Sequence, residues 1–147
     1  MSGQVIIRDL GLDGNSANNT TAETNGMVLL ADNAVVENTQ ILNMRGSGIQ
    51  LTSTNRAGTP ANALSSSFPT LGGRIAKNVI SKPGGHGILI KGVDWLVEVL
   101  DNQIDGTGLD GIVLDSGSVC VVRGNDLFMI GKNGIVTKAH VFITTVK

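Results

Sequence analysis

Tyrosine is absent, and one tryptophan and three phenylalanines leave the chain only 3% aromatic. Any core must therefore be aliphatic, and ring platforms for stacking a neutral sugar are scarce: Trp95 is the only indole. Cys120 is the single cysteine, which excludes an internal disulfide and gives no hint of redox compartment. No apolar run approaches the ~20 residues that a membrane-spanning helix needs, so no membrane segment is expected. Charge of either sign is also missing in bulk. The formal net charge of −1 argues against a nucleic-acid surface, which needs a strong basic excess. Acids are absent altogether between Asn38 and Val93. Met1-Ser-Gly-Gln leads directly towards a first strand at Val5, so no secretory leader is expected there.

What is present is glycine, 20 residues of it, with short aliphatic runs. Gly87-Ile88-Leu89-Ile90, Gly111-Ile112-Val113-Leu114 and Gly134-Ile135-Val136-Thr137 repeat at intervals of 24 and 23 residues. Asn78, Asn102 and Asn125 each stand nine residues before one of these glycines, and Ile80, Ile104 and Leu127 follow them by two. Two markers in constant phase make this a repeat protein. Earlier copies begin at Gly26 and Gly48, with Thr39 in the asparagine slot, and Ile7–Gly14 overlays Leu100–Gly106. Between Gly48 and Gly87 the interval widens to 39, placing an insertion at about 53–72 that reads as a protruding loop with Pro60, Phe68 and Pro69.

A length of 147 residues suits one domain, here 1–147. A period near 23 also fits leucine-rich repeats, but the Leu-x-x-Leu-x-Leu frame is missing and the runs are Ile/Val-rich with no helical period between them. Instead, Val36, Ile75, Val99 and Val122 share one slot, and Ala34, Gly73, Val97 and Cys120 share the slot two earlier. Val35, Arg74, Glu98 and Val121 fall between and should point outward. The expected fold is all-β, a right-handed parallel β-helix of about six coils stacked roughly 4.8 Å apart. Asparagines at its bends tolerate left-handed backbone and can hydrogen-bond along the stack; the recurrent glycines read as turn residues. Cys120, on the inward phase, reads as a buried thiol.

The run Val-Ile-Ile-Arg-Asp-Leu-Gly-Leu-Asp-Gly-Asn from Val5 to Asn15, together with the Gly-Ile-x-Leu and Asn-x-Ile units, resembles the pectate-lyase-like β-helix superfamily in its phage-tailspike and polysaccharide-lyase branch. The resemblance spans essentially the whole chain. It implies a right-handed β-helix, lyase or glycosidase action on, or binding of, an acidic or complex polysaccharide, and a place outside the cell or on a virion surface. Gly85-His86-Gly87 is similar to an element of polygalacturonase-type glycosidases, but the carboxylate set such hydrolysis needs has no counterpart in the acid-free stretch just upstream.

The residue before each Gly-Ile step forms a column: Asn25, Ser47, His86, Asp110 and Asn133. His86 and Asp110 fall on adjacent coils and are the candidate catalytic pair for proton transfer; the same spacing also suits a polar turn ladder containing a hydrogen-bonded histidine. Four residues after the glycines, Lys91, Asp115 and Lys138 alternate in sign and should pair across coils. Arg45, Arg56, Arg74, Lys77, Lys82 and Lys91 crowd the acid-free middle as a basic belt for a polyanionic sugar chain. Trp95, Arg74, Lys82 and Lys91 are the candidate substrate-binding residues. No metal site or other cofactor is expected; for calcium, the only loose ligands are Asp101, Asp105 and Asp126. An outward apolar stripe (Val28, Leu89, Val113, Val136) and uncapped ends suggest a fragment of a longer protein or an oligomer, by resemblance a trimer. The alternative function is a non-catalytic structural or adhesive fibre segment.

Overall fold

The computed structural model describes residues 4–20, 24–30, 33–52, 72–92, 96–115, 117–138 and 141–146. They form sixteen short strands and no helix. The first coil is β1 (Ile6–Arg8), β2 (Gly11–Asp13) and β3 (Met27–Leu29); the second is β4 (Ala34–Glu37), β5 (Gln40–Leu42) and β6 (Ile49–Thr52). The third is β7 (Gly73–Ala76), β8 (Val79–Ser81) and β9 (Ile88–Lys91), and the fourth β10 (Val97–Leu100), β11 (Gln103–Asp105) and β12 (Ile112–Asp115). β13 (Gly117–Arg123), β14 (Asp126–Phe128) and β15 (Ile135–Thr137) make the fifth, and β16 (Val141–Val146) begins a sixth.

Every third strand pairs in parallel. The orders are β1-β4-β7-β10-β13-β16 (sheet A), β2-β5-β8-β11-β14 (sheet B) and β3-β6-β9-β12-β15 (sheet C). This is a three-sided β-solenoid, and the expected all-β repeat architecture is present. The extra residues of the insertion fall between β6 and β7, and 53–71 lie outside the described residues.

Alternation decides what fills the centre. Val36, Ile75, Val99 and Val122 stack under sheet A, Ile41, Ile80 and Ile104 under sheet B, and Ile49, Ile88 and Ile112 under sheet C, all at most 1% exposed. Fully burying each such side chain contributes about 1.5–3 kcal/mol before chain entropy is counted. β-branched residues suit both the pleated backbone and this ring of equivalent positions.

Two expectations change at the corners. The ladder asparagines are not the left-handed residues; their predecessors are. Asp9, Asn38, Lys77 and Asp101 have φ of 56°, 52°, 56° and 52°, and Gly124 has 67°. The chain therefore turns one residue before the asparagine, whose amide is left free to bridge coils. The recurrent glycines likewise serve space rather than dihedral freedom. A methyl on Gly87 would meet Ile104 Cγ2 at 2.5 Å and the Gly111 carbonyl oxygen at 2.7 Å. Register also shifts the overlay of the first coil. Ile7 pairs with Val36, which lies over Ile75 and then Val99, so the ladder slot of coil one falls on Leu10.

Candidate functional site

The corner between sheets A and B carries a continuous amide ladder. The Asn78 backbone N–H and Nδ2 both donate to Asn102 Oδ1, at 3.0 and 2.9 Å, and Asn102 repeats the pattern onto Asn125 Oδ1 at 3.0 and 2.9 Å. Nδ2 of Asn78, Asn102 and Asn125 also donates to the carbonyls of Val36, Ile75 and Val99. Thr39 joins through its backbone N–H and Oγ1, donating to Asn78 Oδ1 at 3.0 and 2.8 Å. Asn78 and Asn102 are each 1% exposed, so these bonds replace water that cannot reach them.

A second ladder occupies the turn before sheet C, and it contains His86 and Asp110. Ser47 N–H donates to Asn25 Oδ1 at 2.8 Å, His86 N–H to Ser47 Oγ at 3.3 Å, and Asp110 N–H to His86 Nδ1 at 3.3 Å. Asn133 completes it, its backbone N–H and Nδ2 donating to Asp110 Oδ1 at 3.1 and 2.8 Å. At each step the side chain of one coil accepts the backbone amide of the next. The histidine is one rung of this series.

That bonding limits its chemistry. His86 Nδ1 also lies 3.3 Å from Asp110 Oδ2, with the two side chains 22% and 13% exposed. One nitrogen cannot accept the Asp110 amide and donate to the Asp110 carboxylate at once. Burial depresses the His86 pKa below its ordinary value; Asp110 pulls it up, while Lys138 and Lys132 push it further down. The neutral ring is thereby favoured, and where Nδ1 accepts the Asp110 amide the ring's one proton sits on Nε2. In a His–carboxylate general base the carboxylate instead holds an Nδ1 proton and leaves Nε2 basic. For Asp110, burial pushes the pKa up, but the Asn133 hydrogen bonds, His86 and Lys132 outweigh it and the carboxyl lies below its usual range.

The other candidates do not converge. Arg74 points outward from β7, Lys82 sits at the corner after β8 with φ of 53°, and Lys91 ends β9. All three are exposed and belong to one coil, but they face different sides of it. Arg56 and Trp95 lie outside the described residues. The sign alternation holds where Lys138 Nζ meets Asp115 Oδ2 at 2.8 Å, and Lys91 is in register with Asp115. Asp101, Asp105 and Asp126 are not gathered, and among the described residues no three His, Cys, Asp or Glu side chains group as metal ligands. The outward stripe is interrupted. Val28 is 47% exposed, Leu89 and Val136 are half-buried, and Val113 is only 2% exposed, covered by the chain itself.

One feature was not anticipated. A groove of 210 Å³ runs along the outer face of sheet A across four coils, past Gln4, Asn33, Val35, Arg74, Leu96 and Glu98. Its signal was the outward slot holding Val35, Arg74 and Glu98, which alternation identifies but cannot rank as a depression. Compared with known proteins, the chain matches no family model, no curated protein and no solved structure.

Proposed function

We propose that the chain is a glycan-binding segment of a right-handed parallel β-helix of the pectate-lyase-like kind, a structural or adhesive piece of a surface fibre rather than a cleaving enzyme. The handedness rests on the strong right-handed preference of parallel crossovers within a sheet. The observation that carries the non-catalytic reading is the use of His86 Nδ1 and Asp110 Oδ1 as acceptors for the backbone amides of the following coils. A pair committed to holding coils together has little freedom to exchange protons with a substrate.

A second reading keeps the polysaccharide-lyase or hydrolase activity, and the 3.3 Å approach of His86 to Asp110 is what favours it. Incubation with a panel of acidic polysaccharides, read for unsaturated and reducing ends, separates the two. The fibre reading expects retention of glycan without new chain ends. Turnover abolished by both His86→Ala and Asp110→Ala, with the fold intact, would replace it by the enzyme. Sedimentation of the same sample reads self-association, which the tailspike resemblance suggests and the interrupted stripe on sheet C weakens.

A further inference from the structure

We propose that Asn133-Gly134 is a self-modification site, where the folded protein converts asparagine to aspartate and isoaspartate through a cyclic imide. The same dipeptide at Asn25-Gly26 is protected by the fold. Asn-Gly occurs at these two positions and nowhere else in the chain. Asparagine is among the labile side chains, and glycine, with no Cβ, shields its own backbone nitrogen least. Attack by that nitrogen needs it uncommitted and the preceding side-chain amide accessible. The ladder before sheet C denies this at every other turn. Gly26 N–H donates to the Ser47 carbonyl at 2.9 Å, Gly48 to His86 at 2.9 Å, Gly87 to Asp110 at 3.1 Å and Gly111 to Asn133 at 2.9 Å. Gly134 holds the same place before β15, the edge strand of sheet C, and its N–H makes no hydrogen bond among the described residues.

The side chains repeat the contrast. Asn25 is half-buried and tied at both ends, Oδ1 accepting the Ser47 N–H at 2.8 Å and Nδ2 donating to Gln50 Oε1 at 3.1 Å. Asn133 and Gly134 are both exposed, and the Asn133 side chain is held only through Nδ2, which donates to Asp110 Oδ1 at 2.8 Å. In the reaction Gly134 N bonds to Asn133 Cγ, the Cγ–Nδ2 bond breaks, and the amide nitrogen leaves as ammonia with the proton that Gly134 gives up. Water, the only co-reactant, then opens the imide. Cleavage of the new bond to Cγ gives aspartate, and cleavage at the main-chain carbonyl carbon gives isoaspartate; nothing is oxidised or reduced. Either product sets a carboxylate where Nδ2 had donated, so the last rung loses its side-chain bond and faces Asp110 with like charge. Isoaspartate also lengthens the main chain by a methylene just before β15.

Peptide mapping by mass spectrometry of protein held folded at pH 8, with enzymatic methylation to mark isoaspartate, tests this on the wild type and Gly134→Ala. A methyl at Gly134 meets Leu127 Cδ1 at 3.5 Å, an ordinary contact, so this variant should fold, and its urea midpoint checks that it does. Folded wild type should gain acid at Asn133, part of it isoaspartate, while Asn25 stays an amide. Protein held in urea should convert both sites. Gly134→Ala should slow conversion at Asn133 about tenfold. An Asn133 that stays an amide, or an Asn25 that converts as fast in the folded protein, would overturn the proposal without any variant. Aspartate free of isoaspartate, or conversion at the wild-type rate in Gly134→Ala, would mean direct hydrolysis by water and would overturn the role of the glycine nitrogen.

Discussion

His86 is the rung of the sheet-C ladder whose acceptor is a ring nitrogen, lost when that nitrogen is protonated. Its folded pKa is below the unfolded value of about 6.5, so the neutral ring's contribution is complete above that pH and is lost as pH falls through the folded pKa. Asp110 acts in the same direction at lower pH, its contribution present above its unfolded value of 3.8 and lost as the carboxyl protonates. Urea unfolding at pH 8 and pH 5 should therefore show wild-type stability falling on acidification. His86→Asn supplies a permanent acceptor and should remove the part of that fall due to the histidine; an unchanged pH slope in the variant would show that the ring is not the titrating group. Asn102 is a different case. Its truncation to alanine strands the Asn78 N–H and the Ile75 carbonyl in a buried corner, and Asn102→Ala should lose about 2–5 kcal/mol in the same assay.

At the scale of the strand, the repeating unit depends on glycine before each sheet-C strand. The Gly87 methyl position is blocked by an Ile104 side chain and by backbone of the next coil, and backbone cannot move without shifting the stack. Gly87→Ala is expected to destabilise by about 1–3 kcal/mol, an overpacking effect read from the shift in urea midpoint. Ile104→Ala, at a fully buried site in sheet B, should lose about 2–5 kcal/mol through cavity formation. Phase, strand order and inward slots were all legible, because side chains alternate with period two and the coil length is nearly constant. The left-handed residue is not Asn78 or Asn102 but the one before it, Lys77 or Asp101. Propensity names asparagine for such a turn, whereas here the amide is worth more as a bridge and lysine or aspartate accepts the strained dihedral.

At the scale of the molecule, large apolar side chains are exposed mainly on the outer coils. Val5, Ile6, Leu10, Val28 and Leu30 belong to the first, and Phe128 and Met129 to the fifth. The inward slots of each coil are covered by the coils stacked against it, as in any stack whose repeats contact only their neighbours. The interior is correspondingly closed to reagents. Burial pushes the Cys120 thiol up to about 11, so little thiolate exists at pH 8. Native protein should resist alkylation at that pH and react fully in urea, as mass spectrometry would show; rapid native modification would mean that the fourth and fifth coils separate readily.

The sequence by itself determined that the chain repeats, how long a coil is and which residues face inward, since these follow from spacing along one dimension. It also brought His86 and Asp110 together, because equal coil lengths bring equal positions together. Only the tertiary structure decided what that proximity does. A hydrogen bond has a direction, and the turn geometry aims the Asp110 amide, as well as its carboxylate, at the imidazole. Likewise, spacing gathered Arg74, Lys82 and Lys91 into one belt, but the corners between the three sheets turned them to separate faces and left Arg74 beside Glu98 on the outer face of sheet A.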